Sequence, residues 1–282
     1  MLLTEETVTA SPRSGAQLRQ AIRNGHSQGT TAGLAPGYLQ CNLAIVPHSA
    51  AADFLRFCRL NPKPCPLLAV SEPGSPVLPS LGTDLDVCTD LPAYCVFRDG
   101  TLTEECVDLH GLWQDDHVAF AIGCSFSFER ALLDAGVPLR HIREGRNVAM
   151  WRTTRPTRSS GAFQASLVVS MRPIRLQDVS RVVEITSANP MAHGGPVHIG
   201  DPRVLGIDDL AHPDYGDAVE VLPDEVPVFW ACGVTTQLAL QSARLPLAIT
   251  HKPGHMLVTD LTLASARHLA SGMGNIEGTK HD

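Results

Sequence analysis

No two of the eight cysteines form a CxxC pair, so a zinc ribbon or a dithiol redox site is not indicated. There is no block of lysines and arginines and no RNA-binding aromatic motif. With a net charge of −7 and a pI near 5.9, this argues against a nucleic-acid or membrane-surface partner. No run of about 18 apolar residues is present to span a membrane. The N-terminal MLLTEETVTASPR is neither a charged-then-apolar signal nor an Arg-rich transit peptide. These absences point to a soluble, cytoplasmic protein whose thiols stay reduced. They do not exclude a small anionic ligand, which needs only a locally positive pocket.

What is present suits a globular chain. The 282 residues are 44% hydrophobic and 18% charged, enough for one large or two interlocked domains. SGAQLRQAIRN (14–24) reads as a helix stopped at Gly25, and the Gly-rich loop after it is too long for a mere connector. NLAIVP reads as a strand, and Ser49 as the cap of a helix over 50–61. AYCVFRDGTLTEECVDL reads as a hairpin turning at Asp99-Gly100. After Leu112 strands and helices alternate, with strands expected near 117–123, 138–142, 147–152, 166–171, 247–250 and 255–260.

Two stretches within this region align without a gap at an offset of 108: VAFAIGCSFSFERALLDAGVPL (118–139) and VPVFWACGVTTQLALQSARLPL (226–247). Each reads as a strand, a cysteine at the bend, then a helix. GRNVAMWRT (145–153) and GHMLVTDLT (254–262) extend the match at an offset of 109. The expected fold is therefore α/β with mixed sheets, built from internally duplicated strand–helix–strand halves with pseudo-twofold symmetry. Residues 1–111 are expected to pack helices, loops and a hairpin on a duplicated core at 112–265. Its halves are 112–160 and 220–265, joined by 161–219, and 266–282 form a flexible tail.

The two bends, GCSFS and ACGVT, put small and hydroxyl residues where a strand enters a helix, whose first amides are unpaired and carry partial positive charge. One reading is a carboxylate site at each bend, using Cys124, Ser125, Ser127, Cys232, Gly233, Thr235 and Thr236. The other is ordinary helix capping by those hydroxyls. Cys124 and Cys232 are better read as packing residues than as nucleophiles, for want of a neighbouring base in the sequence. NPMAHGGPVHIGDP (189–202) gathers His193, His198 and Asp201 among glycines and prolines, which suits acid–base work. THKPGHMLVTDL adds His251 and His255. HIREGRNVAMWRT adds Arg146, Asn147 and Arg152, of which a guanidinium can grip a carboxylate.

PGYLQCNLAIVP, DFLRFCRLNPKPCPLL, DDHVAFAIGCSFSFERALLDAGVPLRHIREGRNVAMWRT, LVVSMRPI, PVHIGDP, VPVFWACGVT and THKPGHMLVTDL closely resemble the family of bacterial "putative hydro-lyases", which is similar to a region of D-glutamate cyclase. The resemblance runs from about Pro36 to Leu261. It implies a lyase acting on a small acidic amino acid or related carboxylic acid, with D-glutamate cyclisation to 5-oxo-D-proline as the reference reaction. That chemistry needs a base for the ammonium, a charge-neutralised carboxyl and an anchor for the other carboxylate. The residues set against these needs are His198 or His255, with His193, as base and acid, Asp201 to orient a histidine, Arg146 or Arg152 for charge, and the two bends for the carboxylates. No cofactor is expected, and a homodimer is permitted. Two rivals remain: a metal-dependent hydrolase or lyase using His193, His198, His251 or His255, and a non-catalytic small-molecule binding protein.

Overall fold

The structure, a computed structural model, describes residues 14–266. Helix α1 (Gly15–Arg23) is capped by the Ser14 side chain, which accepts from the Gln17 amide, and Gly25 follows in the left-handed region as expected. Strand β1 (Tyr38–Pro47) runs into α2 (His48–Leu60), where Ser49 lies inside the first turn and the N-cap is Pro47, so the expected serine cap is absent. Next come β2 (Leu67–Val70), the hairpin β3 (Tyr94–Arg98) and β4 (Thr101–Cys106), β5 (His117–Gly123) and α3 (Phe126–Asp134). A short helix, α4 (Arg140–Arg143), occupies the place expected for a strand at 138–142. The chain continues through β6 (Met150–Pro156), β7 (Ser166–Arg175), α5 (Val179–Ser187), β8 (His198–Ile199), β9 (Glu225–Ala231), α6 (Val234–Ala243), β10 (Ala248–His251) and β11 (Leu257–Thr262).

The strands form two sheets. One has the order β2-β5-β1-β10-β3-β4, with β11 also on β1; the other has the order β6-β7-β9-β8. Every pairing among the described residues is antiparallel, which corrects the expectation of mixed sheets. The reason is in the connections. β5 lies in the first sheet, and the chain passes through α3 to β6 in the second; β9 lies in the second and leads through α6 to β10 in the first. A strand–helix–strand unit that changes sheets needs no parallel partner. The boundary expected after residue 111 does not separate the sheets either, because β1 sits between β5 and β10 at the centre of the first. The tail expected from 266 lies, from 267 on, outside the described residues.

β1 is buried on both faces, which explains its unbroken apolar run. Cys41, Leu43 and Ile45 join Leu78, Leu85 and Leu91 on one side. Ala44 and Val46 join Phe54 and Phe57 of α2, with Ala239 and Leu240 of α6, on the other. Phe128 and Leu132 of α3, Val182 of α5 and Trp230 of β9 cover one face of the second sheet. No described helix is long and apolar enough to cross a membrane.

Candidate functional site

The two bends, 108 residues apart in sequence, meet in space. Cys124 and Cys232 belong to one apolar cluster with Phe126, Val148, Met150, Val168, Val234 and Met256. Burial pushes both thiols up, Cys232 to about 11, so neither is a ready nucleophile. At the first bend the Phe126 amide donates to the Cys124 sulfur at 3.5 Å. Gly123 ends β5 where a Cβ would overlap the Met191 carbonyl, which brings the 189–195 loop against the same bend. At the second bend Gly233 lies so close to the Asn42 side-chain amide that a Cβ would overlap it. That amide in turn donates to Gly123 O at 2.7 Å, so Asn42 touches both bends.

The charge beside the bends comes from an arginine that the sequence reading passed over. Arg172, on β7, is 1% exposed. Its Nη2 donates to Ser125 Oγ at 3.0 Å and its Nη1 to Ser170 Oγ at 3.2 Å. Its Nε donates to Glu129 Oε1 at 3.0 Å, Nη2 reaches the same oxygen, and His141 Nε2 lies 3.0 Å from it. The guanidinium lies against the rings of Phe128 and Trp230. Burial pushes the Glu129 carboxyl up, but His141 and Arg172 outweigh it and hold the group below the ordinary carboxylate value. Both residues left a signal in the sequence: Arg172 interrupts the apolar strand LVVSMRPI, and Glu129 is the acid in the first turn of α3.

The expected donors have other work. Ser127 Oγ accepts the Gln40 amide at 2.9 Å, and Thr235 Oγ1 accepts the Val168 amide at 3.0 Å while donating to Cys232 O at 2.7 Å. Thr236 Oγ1 donates to Gly233 O at 2.7 Å. Ser127 and Thr235 tie helix starts to neighbouring strands, and Thr236 closes the start of its own helix. Ser125 alone of the four accepts from a charged side chain. Arg146 bonds Ala218 O and pairs with Glu144, and Arg152 pairs with Asp214 and reaches Tyr215 Oη at 3.0 Å. Both are about half-exposed, so their charges are spent on surface partners. Asn147 Nδ2 lies 3.4 Å from Pro253 O, and its Oδ1 is buried without a partner.

The histidines fall at different depths. His193 is buried and left-handed, with φ 71°, and its Nδ1 lies 2.8 Å from Lys63 O. A carbonyl only accepts, so Nδ1 carries the proton and Nε2 keeps its lone pair. Burial lowers its pKa to about 4, and the positive charges of Arg172 and Lys63 act in the same direction. His255 is half-buried, with Nδ1 3.2 Å from Pro253 O, and burial lowers its pKa. His198 Nε2 lies 2.7 Å from the Asp201 backbone carbonyl, whereas the Asp201 carboxylate holds Arg203 and caps the turn after it. Asp201 therefore does not orient a histidine through its carboxylate. His251 is buried on Leu43. Among the described residues no three His, Cys, Asp or Glu side chains come together as a metal would require.

Comparison with known proteins bears on this centre. The profile of the D-glutamate cyclase family matches residues 118–260, the stretch that contains both bends, Arg172 and His193. A "putative hydro-lyase" of Bordetella petrii is 58% identical over 256 residues, 90% of this chain and 97% of that one. Another, from Paraburkholderia phymatum, is 59% identical over 249 residues, 88% and 97% of the two chains. A solved nitrogen repressor-like protein from Methanococcus jannaschii overlaps 89% of this chain and 99% of its own, at 10% identity and a TM-score of 0.37, too loose to carry an argument. With the profile spanning half of its length and relatives at 58 and 59% identity, the chain belongs to the D-glutamate cyclase family.

Proposed function

We propose that the protein is a hydro-lyase for a small carboxylic amino acid, with D-glutamate and 5-oxoproline as the first pair to test, and that the substrate binds where the two bends meet. The observation that carries this is the convergence of Ser125, the Arg172 guanidinium and both bends on one buried centre. In the reference reaction the amine attacks the distal carboxyl carbon, the N–C bond forms, a C–O bond breaks and water leaves. Ser125 Oγ already accepts from Arg172, so its own hydrogen is the one it can offer to a carboxyl oxygen, and the neighbouring positive charge strengthens that donor. His193 is the preferred base among the expected histidines. It sits on the loop that packs against Gly123 at the first bend, its tautomer leaves Nε2 able to accept, and its left-handed backbone is the kind of strain that clusters at working sites. His255 is the second choice, and His198 with Asp201 the third, because the Asp201 carboxylate is exposed and already holds Arg203.

We also infer that the chain is a duplication whose halves exchange their last strands. The support is a matched register. Cys41–Pro47 pair with Gly123–His117 in the first sheet, as Val169–Arg175 pair with Ala231–Glu225 in the second. The hydroxyl contacts repeat as well. Gln40 N to Ser127 matches Val168 N to Thr235. Thr153 to Leu167 O, at 2.8 Å, matches Thr259 to Leu39 O, at 3.1 Å. These contacts align β6 with β11 at an offset of 106, not the 109 read from the two glycine-led segments. Glycine followed by a polar residue and a strand is too common a pattern to fix register.

The test is turnover with mass detection of water loss, run on D-glutamate, L-glutamate and 5-oxoproline, with Ser125→Ala and His193→Gln beside the wild type. Each variant is expected to lose 100-fold or more in kcat, in keeping with the usual size of oxyanion and acid–base contributions. Crystals soaked with the same acids should show the ligand at Ser125. Ligand density remote from both bends, or unchanged kcat in both variants, overturns the assignment.

A further inference from the structure

A cavity of about 390 Å³ lies between the end of α3, the short helix α4, the end of β7 and the turn that leads into β9. That size falls within the range of small-molecule sites, roughly 300–1,000 Å³. Its lining holds no histidine, cysteine, serine or threonine, so it is equipped to bind and not to catalyse. Leu139 and Ile142 supply apolar wall from the α4 side. Leu133 and Leu222 line it as well, and each is 38% exposed. A single exposed leucine is ordinary, but two that border one cavity form apolar surface that a ligand can cover.

The charges around the cavity are unevenly spent. Arg140 Nη2 meets Glu225 Oε1 at 2.7 Å and Nη1 donates to Glu220 O, while Glu225 Oε2 accepts the Leu222 amide at 2.9 Å. That pair is a fixed, neutral part of the wall. Arg175 gives Nε and Nη2 to Asp178, each at 2.8 Å, which leaves Nη1. Arg143 has Glu144 at 3.8 Å, beyond hydrogen-bond reach, and its side chain is 69% exposed. Two guanidiniums with unused donors therefore border an apolar hollow, the arrangement that grips a carboxylate. Asp224, exposed on the same lining, sets a limit, because a second negative charge on the ligand would meet it. The cavity also backs onto the centre described above. α4 carries His141, which lies against Glu129, and Leu139 belongs to the core cluster of Phe128 and Trp230, the rings beside Arg172.

We propose that this cavity is a second, non-catalytic site that binds an apolar monocarboxylate, with Arg143 and Arg175 on the carboxylate and the leucines and Ile142 around the carbon body. At roughly 30 Å³ per water, the space takes on the order of a dozen water-sized groups, which suits a chain of about eight carbons. The site selects in two ways. An amine of the same length brings a cation to two arginines, and a diacid brings a second carboxylate to apolar wall and Asp224. A ligand seated here bears on α4 and the rings beside Arg172 without entering the centre, so it is placed as an effector. The inference rests on the cavity and its charges and does not need the hydro-lyase reading.

The probes are sodium octanoate, disodium octanedioate and octylammonium chloride, each titrated by calorimetry and soaked into crystals of the wild type, Arg143→Glu and Leu222→Asp. Both substituted side chains are exposed, so neither change reaches the core. Octanoate is expected in the cavity of the wild type, with its carboxylate about 3 Å from the Arg143 and Arg175 guanidiniums. Octanedioate and octylammonium should bind the wild type about 10-fold more weakly or worse, and each variant should weaken octanoate by a similar factor. The inference is overturned if octanoate density lies at the two bends or nowhere, if octylammonium or octanedioate binds as tightly as octanoate, or if both variants bind octanoate like the wild type. Octanoate seated in the cavity of a protein that turns over no acid keeps this inference and removes the hydro-lyase reading. Turnover of D-glutamate with an empty cavity does the reverse.

Discussion

Arg172 and Glu129 are a fully buried ion pair inside a sheet-and-helix core, and such pairs are weak evidence for stability in themselves. Their value here is position: Glu129 holds the guanidinium where it can reach Ser125. The buried histidines carry a clearer energetic consequence. Burial lowers His193 and His251 to about 4 from the ordinary 6.5. Between those values the unfolded chain binds more protons than the folded one, so stability rises with pH through that window. The contribution is complete above about pH 6.5 and is lost as pH falls toward 4. Each histidine gives a slope of roughly 1.4 kcal/mol per pH unit. Urea unfolding between pH 7.5 and 4 should show the loss, and His193→Gln or His251→Gln should each remove one such increment of slope. An unchanged slope in both variants would show that these rings titrate normally. Glu129, held below its ordinary value, adds a further loss only at more acid pH.

At the scale of elements, the strand-to-helix bend is where sequence and structure agreed in placement and differed in meaning. The offset of 108 located both bends because strand, small residue and helix leave a dense pattern. It could not show what the hydroxyls touch, since Ser127 and Thr235 reach strands β1 and β7, far from them in sequence. Nor could local periodicity suggest the equivalence of β1 and β7 that we propose, because their sequences share little beyond apolar character. The hairpin turn at Asp99-Gly100 was legible, both residues being left-handed there, because a two-residue turn dictates its own chemistry. The hydroxyl ties predict a contrast between adjacent threonines. Thr235→Val strands the Val168 amide and should cost about 1–3 kcal/mol. Thr236→Val removes only a donation to its own helix start and should cost about 1 kcal/mol or less. Equal losses in urea unfolding would remove the argument that Thr235 joins helix to sheet.

For the whole molecule, the exchange of strands decides how it can come apart. The loop between β6 and β7 looks like a natural place to divide the chain, since no regular element crosses it. Yet β6 pairs with β7 on the far side, and β10 and β11 return to β1 in the first sheet. Cutting after residue 160 leaves 1–160 without the strand that joins β1 to β3, and with β6 unpaired. It leaves 161–282 with β10 and β11 unpaired and with β7 open on one edge. Exposed apolar edges of this kind bind other chains or keep a fragment from folding. Neither piece, expressed alone, is therefore expected to show a cooperative denaturant transition, while the two mixed should recover one as β6 and β11 find their partners. The readout is circular dichroism in urea for each piece and for the mixture. A cooperative transition in either piece alone would mean that the halves do not depend on exchanged strands. The candidate site needs both pieces in any case, because Cys124 and Ser125 lie in the first and Arg172 and Cys232 in the second.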